Sequence, residues 1–160
     1  MIGAILYEAR PSFEKRWCRH QSSFYLPVAR WLKANAGEGT LVALSDVGYI
    51  SYYSGIKAID TLGLVNRHLA RLPGAAAFRS DVEYVLEKEP ALLISMIRHY
   101  EGGAILGHTA FDRDVLKSKQ FQEKYELAQE IDGYDADEIS LGDLKRRRYH
   151  VTFRIFRRRG

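Results

Sequence analysis

The stretch "TLVALSDVGYISYYSGIKAIDTLGL", residues Thr40–Leu64, decides the fold. Its two short apolar runs, Thr40–Ser45 and Ile56–Asp60, are typical of strands that lie inside a sheet. Between them, a glycine and three tyrosines at helical spacing predict a short helix, which Gly55 terminates. A strand, a helix and a second strand in this order predict a parallel pair joined by a right-handed crossover.

The flanking sequence continues the alternation of helices and strands. Upstream, "SSFYLPVARWLKANAGEG" (22–39) predicts an amphipathic helix that ends at its glycines. Downstream, "NRHLARL" (66–72) and "SDVEYVLEKEP" (80–90) predict two short helices, and "ALLISMI" (91–97) predicts a third strand that is apolar on both faces and therefore central. The sequence predicts a small, Rossmann-like, three-layer α/β domain with a partly parallel mixed sheet.

The C-terminal third predicts antiparallel strands. We expect "FDRDVLKSKQFQEKY" (111–125) to be helical, "YELAQEI" (125–131) to be a strand and "DGYDADEISLGD" (132–143) to be a loop. Alternating apolar residues at 149–156 predict a final strand that pairs with 125–131 at one side of the sheet. Arginines flank this final strand, and three interpretations stay open: a charged edge strand, a surface for anionic lipid, or a nucleic-acid patch.

Length and composition favour one domain. The 160 residues can bury a core as a single α/β domain (1–160), with 1–20 as an N-terminal extension or the stub of a membrane helix and 157–160 as a basic tail. The formal net charge is +4, but no nucleic-acid-binding motif is present, so we do not expect nucleic acid as a partner. The single cysteine, Cys18, excludes an internal disulfide and leaves the compartment open.

Two aspartates mark the predicted site. Asp46 follows the first predicted strand and Asp60 ends the second, and ligands of open α/β sheets bind beyond the carboxyl ends of parallel strands. Gly48 would let the following helix present main-chain amides to a ligand. The structural alternative is that Asp46 caps this helix and that Asp60 holds a turn before Gly63.

Tyrosines and a basic helix complete the candidate site. Tyr49, Tyr52 and Tyr53 share a predicted helix face, where they either pack or stack on a ligand. The helix after Asp60 adds hydrogen-bonding and cationic groups, although these residues would also suit an ordinary solvated helix. They are Asn66 (also a candidate cap), Arg67, His68 and Arg71.

These residues resemble a known family. The pattern begins with Trp31-Leu32 and continues with Asp46, Gly48, Tyr52 and Tyr53. It ends with Ile59-Asp60, Gly63-Leu64, Asn66 and Leu69-Ala70-Arg71. This pattern resembles the soluble C-terminal region of GT-C membrane glycosyltransferases, including arabinofuranosyl- and mannosyltransferase-like proteins. The resemblance covers about residues 21–105. It implies a domain on the extracytoplasmic side of a membrane that works with polyprenyl-phosphate-linked sugars.

The resemblance implies no catalytic residue in this chain, because the outer loop that supplies the family's catalytic acid has no counterpart here. We therefore expect a non-catalytic domain that contacts an acceptor glycan or a lipid-linked sugar and works with membrane helices or a membrane-embedded partner. Sugars suit the candidate residues, since carboxylates and asparagine bind hydroxyl groups and tyrosine rings cover C–H faces.

The alternative is a free-standing, cytoplasmic α/β enzyme or ligand-binding protein that uses the Asp46/Asp60 crevice, with His68 as a further acid–base candidate and Arg67 or Arg71 as an anion clamp. No cofactor is expected, because the sequence lacks G-x-G-x-x-G and G-x-x-x-x-G-K motifs. No metal is expected either, because His99 and His108 are not spaced like zinc ligands.

Overall fold

A computed structural model describes residues 23–139 and 146–160. The predicted N-terminal extension (1–20), Cys18 and the end of the predicted acidic loop (140–143) lie outside the described residues. None of the helices in the described part combines the length and the apolar character that a membrane-spanning helix needs.

Helices and strands alternate along the first two thirds of the chain, as predicted. The helices are α1 (23–35), α2 (Val47–Ser54), α3 (Arg67–Ala70), α4 (Val82–Glu87), α5 (Ala110–Val115) and α6 (Lys119–Lys124), with a 3-10 turn at Ala76–Phe78. The strands are β1 (Leu41–Leu44), β2 (Lys57–Asp60), β3 (Leu92–Tyr100), β4 (Ile105–Gly107), β5 (Tyr125–Ile139) and β6 (Arg146–Arg158).

The strands form one mixed sheet in the order β2-β1-β3-β6-β5, and β4 pairs with β3. β1 is parallel to both β2 and β3, with Leu44 opposite Asp60 and Val42 opposite Leu92. β3 pairs antiparallel with β6 along its whole length and with β4 along its last residues, Ile97–His99. The prediction of a partly parallel mixed sheet with antiparallel strands near the C-terminus is confirmed.

Helices cover both faces of the sheet and create two cores. On one face, α1 and α2 bury Val28, Leu32 and Ile50 against the even-numbered residues of β3. On the other face, α3 to α6 bury Leu69 and Phe111, among others, against odd-numbered residues such as Leu93. Because side chains alternate along β3, this strand contributes residues to both cores. The sheet therefore lies between two layers of helices, which are the three predicted layers.

The basic final strand is not a sheet edge, as one interpretation of the sequence had it. β6 lies between β3 and β5, and β5 is the outermost strand on that side among residues 23–139 and 146–160. The predicted loop is also wrong over 132–139, because β5 runs on to Ile139. Acidic residues of β5 face the arginines of β6: Glu130 lies 2.6 Å from Arg154, Glu126 3.5 Å from Arg159, and Asp137 pairs with Arg146. The cross-strand pairs extend the hairpin.

β5 and β6 are not in continuous register. The pairing shifts between Leu127 and Gln129 and again between Asp132 and Tyr134. At the second shift Gly133 lies against the partner strand, where an added Cβ would be 2.3 Å from the Val151 carbonyl oxygen. The two irregularities are β-bulges, which increase the local twist of an edge strand.

A buried carboxylate joins α5 to the centre of the sheet. Asp112 is 1% exposed and accepts four hydrogen bonds, from the Ser95 hydroxyl (3.0 Å), the Met96 main-chain N–H (3.2 Å), and the main-chain N–H (3.0 Å) and hydroxyl (2.8 Å) of Thr109. Burial raises its pKa to about 6, although each of these donors opposes the rise. Asp112 therefore holds the β4–α5 connection on β3.

We expect Gly63→Ala to lower the free energy of unfolding by about 2 kcal/mol or more, because two costs combine at this position. Gly63 has φ +78°, and an added Cβ would lie 2.7 Å from the main-chain nitrogen of Ala70. Urea denaturation measures the change. Gly74→Ala is the control: Gly74 has φ +94° but no neighbouring atom within 4 Å, so it pays only the conformational cost, about 1 kcal/mol. Equal losses for the two variants would contradict the close packing at Gly63.

We expect His150 to titrate above its ordinary pKa of 6.5, because its Nδ1 lies 2.8 Å from Asp135 and its Nε2 lies 2.7 Å from Asp132. Both nitrogens can donate only when the ring is protonated. The stabilisation is therefore complete below about pH 6.5 and is lost as the pH rises through the folded value. NMR titration of the ring measures this pKa, and Asp132→Asn/Asp135→Asn should return it towards 6.5. An unchanged pKa in that variant would refute the two contacts.

Candidate functional site

Asp46 and Asp60 both lie at the carboxyl end of the parallel strands. Asp60 is the last residue of β2, and Asp46 comes two residues after the end of the neighbouring strand β1. Burial raises the pKa of Asp46, and the negative charge of Asp60 adds to that rise. Their surroundings, however, give them different roles.

Asp60 holds the turn that follows β2. Its side chain is buried, at 1% exposure, and its two oxygens accept hydrogen bonds from the main-chain N–H groups of Leu62 (3.0 Å) and Val65 (2.7 Å). This arrangement agrees with the structural alternative from the sequence, a turn held before Gly63. The carboxylate is engaged with the backbone and shielded from solvent.

Asp46 is held by α1. It occupies the position before α2 but makes no side-chain bond to the amides of that helix. Its carboxylate instead accepts a hydrogen bond from the Tyr25 hydroxyl. Burial raises the pKa of Asp46, and the Tyr25 hydrogen bond opposes that rise. Burial also raises the pKa of Tyr25, and the charge of Asp46 and the hydrogen bond to it add to that rise.

The tyrosines of α2 form a stepped aromatic surface. Tyr49 is half-buried and its ring centroid lies 6.3 Å from that of Tyr25 and 4.6 Å from that of Tyr53. Tyr52 packs edge-on against Tyr53 at 5.1 Å and is 81% exposed. Gly48, in the first turn of the helix, is exposed with open space beside it. These residues lie on the α1/α2 face of the sheet.

The other predicted residues lie on the opposite face, around α3. Asn66 caps this helix: its Oδ1 accepts the main-chain N–H groups of His68 (3.1 Å) and Leu69 (3.3 Å) and the Tyr84 hydroxyl (3.4 Å). His68 stacks on the Tyr84 ring with 3.9 Å between centroids, and its Nε2 lies 2.7 Å from Asp81. The hydrogen bond to His68 holds the pKa of Asp81 below its ordinary value.

A groove of about 420 Å³ lies beside β2, the outermost strand at this side of the described sheet, and we call it the β2-edge groove. It brings together three of the predicted residues, Asp60, Asn66 and Arg67. His68 stacks on the ring of Tyr84, which is part of the groove lining. Arg71 is an exposed residue at the end of α3. The groove is lined by Leu41, Lys57, Ala58, Ile59, Asp60, Val65, Asn66, Arg67, Tyr84 and Lys88.

Polar side chains of the β2-edge groove offer donors. Lys57, Arg67 and Lys88 are exposed, and none has an ion pair with a residue of the described chain. Asn66 uses its oxygen within the protein, which leaves its NH2 group as the side-chain function able to contact a ligand. Since the acceptor oxygens of Asp60 are engaged, the groove suits a ligand rich in acceptors or negative charge.

Three further residues of the groove, Lys57, Tyr84 and Lys88, are not among those predicted from the sequence. Tyr84 and Lys88 are four residues apart, so they share a helix face, and the Lys88 ammonium lies 5.0 Å from the centre of the Tyr84 ring. Lys57 begins an edge strand, where lysine is common. The spacing was visible in the sequence, but the packing of α4 beside β2 was not.

A second cluster of polar side chains, which was also not predicted from the sequence, consists of groups that bind one another. The Arg98 Nε donates to Nδ1 of His108 (3.0 Å), and its Nη1 lies 2.7 Å from Glu138 while the guanidinium covers the Tyr149 ring at 4.8 Å. Burial, and then the Arg98 charge, lower the pKa of His108 to about 4, so its ring is neutral and accepts this bond. Neither this cluster nor another group of side chains in the described ranges could bind a metal with three acidic, cysteine or histidine ligands.

We expect Tyr25→Phe to raise the pKa of Asp46 further, because the substitution removes the hydrogen bond that opposes the effect of burial. Carbon-detected NMR of the Asp46 carboxyl group measures the shift. Since a buried group with a raised pKa destabilises the fold when it ionises, the variant should lose about 1–3 kcal/mol at neutral pH and less at pH 4. Tyr52→Phe, at an exposed tyrosine, is the control. An unchanged titration of Asp46 would exclude the Tyr25 contact.

Comparison with known proteins gives a family but no characterised relative. No curated protein and no solved structure matches the chain. A family model, described as "Domain of unknown function (DUF8728)", matches residues 14–153. Because this match covers most of the 160 residues, the chain belongs to the DUF8728 family.

Proposed function

We propose that this chain is a non-catalytic domain of a membrane sugar-transfer system and that it holds an anionic carbohydrate, such as a sugar phosphate, in the β2-edge groove. The observation that carries the proposal is the set of exposed cations that line the groove, Lys57, Arg67 and Lys88. The one acid in the lining, Asp60, uses its oxygens to accept main-chain N–H groups. Cations and amide donors bind phosphate or carboxylate oxygens.

The resemblance to the soluble region of GT-C glycosyltransferases supports the carbohydrate part of the proposal. Asp60, Asn66 and Arg67, three residues of the resembling pattern and its surroundings, line the groove. A membrane-embedded partner or membrane helices would then supply the catalytic groups, and the domain would act on the extracytoplasmic side.

The geometry favours a binding role over acid–base catalysis at the two aspartates. Asp60 has no solvent-facing oxygen, since its carboxylate is buried against the amides of Leu62 and Val65. An enzyme in the Asp46/Asp60 crevice would depend on Asp46, whose raised pKa is the one property here that suits a general acid.

We expect mannose 1-phosphate to bind in the groove, and free mannose to bind more weakly, because only the phosphate engages the cations. In a 15N-labelled chain, the phosphate ester should shift the amide signals of Lys57, Ala58 and Arg67 without being hydrolysed. Lys57→Gln/Lys88→Gln should weaken binding about tenfold, through the loss of two nearby charges.

The matched control is Lys33→Gln/Lys117→Gln, which removes two exposed charges away from the groove and should leave the affinity unchanged. Signal shifts that cluster at Asp46, Tyr49 and Tyr52 would move the site to the α2 face. Equal affinity of the Lys57/Lys88 variant and the unsubstituted chain would overturn the assignment to the groove, and turnover of the ester would overturn the non-catalytic role.

A further inference from the structure

The segment from Thr61 to Ser80 has an unusual composition. It contains no aspartate or glutamate, and it carries three arginines, Arg67, Arg71 and Arg79. The aspartates on either side are engaged inside the protein: Asp60 with main-chain amides and Asp81 with His68 and the Tyr84 N–H. The segment therefore presents positive charge without compensating acids of its own.

The same segment exposes large apolar side chains. Leu64 is 70% exposed, Val65 79% and Phe78 73%. Of the eight exposed large hydrophobic residues in the described ranges, these three and Ile105 and Leu106 of β4 make five. Exposed apolar residues in this number at one end of a domain indicate a contact surface rather than ordinary scatter.

Topology places these residues at one end of the molecule. The segment joins the carboxyl end of β2 to the start of α4, and β4 pairs with the last residues of β3. The 3-10 turn that carries Phe78 contacts α5, the helix that follows β4. The exposed leucines, valine, isoleucine and phenylalanine therefore all lie beyond the carboxyl ends of the parallel strands.

Specific contacts fix the main-chain conformation that exposes Leu64 and Val65. Asp60 fixes the main chain at Leu62 and Val65, and Gly63 packs against the backbone at Leu69 and Ala70. Farther along, the Arg79 side chain donates to the Gly74 carbonyl at 2.7 Å. The turn thus buries Leu69 in the core while it directs Leu64 and Val65 to solvent.

We propose that this carboxyl-end surface, formed by Leu64, Val65, Phe78, Arg71 and Arg79, binds the surface of an anionic lipid bilayer. Apolar side chains enter the boundary between headgroups and acyl chains, and the arginines pair with lipid phosphates. The absence of acids over 61–80 makes the charge complementary to such a surface. The proposal goes beyond sugar binding, and it does not require a ligand in the β2-edge groove.

Vesicle co-sedimentation tests the proposal. We expect the chain to bind vesicles of equimolar phosphatidylcholine and phosphatidylglycerol, to bind pure phosphatidylcholine vesicles far less, and to dissociate as salt is added. Leu64→Ser/Phe78→Ser should reduce partitioning about tenfold through lost apolar contact, and Arg71→Gln about fivefold through one lost charge.

Controls separate this surface from general effects and from the groove. Leu127→Ser, at a 54% exposed leucine of β5, and Arg30→Gln, at an exposed arginine of α1, should leave vesicle binding unchanged. Leu64→Ser/Phe78→Ser should keep its affinity for mannose 1-phosphate, so either proposal can fail alone. Equal binding to both kinds of vesicle, or equal losses in the controls, would overturn the proposal. So would polyglutamate binding that requires Leu64 and Phe78 without vesicle binding, which would assign the surface to an acidic protein.

Discussion

The rest of the site depends on the hydrogen bonds that the buried Asp60 carboxylate accepts from the main chain. A charge in a protein interior is costly unless hydrogen bonds replace its water, and here the N–H groups of Leu62 and Val65 do so. Their positions fix the turn between β2 and α3, which in turn sets where Asn66 and Arg67 meet the edge of the sheet. One acid–amide contact thus orders both the groove and the exposed apolar turn beside it.

Much of the fold could be predicted, because its signals are local. The apolar runs of β1, β2 and β3, the cap at Asn66, and the glycine after α2 are each visible within a few residues. The extension of β5 over 132–139 could not be predicted in this way. Its acidic residues resemble a solvated loop, and they form a strand because the arginines of β6 lie opposite them, at a distance that local patterns do not report.

The site was predictable to a similar depth. Sequence position placed Asp46 and Asp60 at the ends of adjacent strands, and Asn66 and Arg67 near them. The sequence did not indicate that the α2 tyrosines lie on one face of the sheet and α3 on the other. Nor could it show that Tyr84 and Lys88 would complete the groove, because that depends on how α4 packs over the β2 edge.

The two outer strands of the sheet also have a bearing on how copies of this chain behave at high concentration. β2 has four residues and opens with a lysine, while β5 is long but carries two bulges and a row of carboxylates. If the β5 strands of two molecules paired, their carboxylates would lie opposite one another. The bulges also twist the strand, which disfavours a continuous ladder of main-chain hydrogen bonds between the molecules. The outermost strand of the described sheet, fifteen residues long, is therefore a poor template for the growth of fibrils.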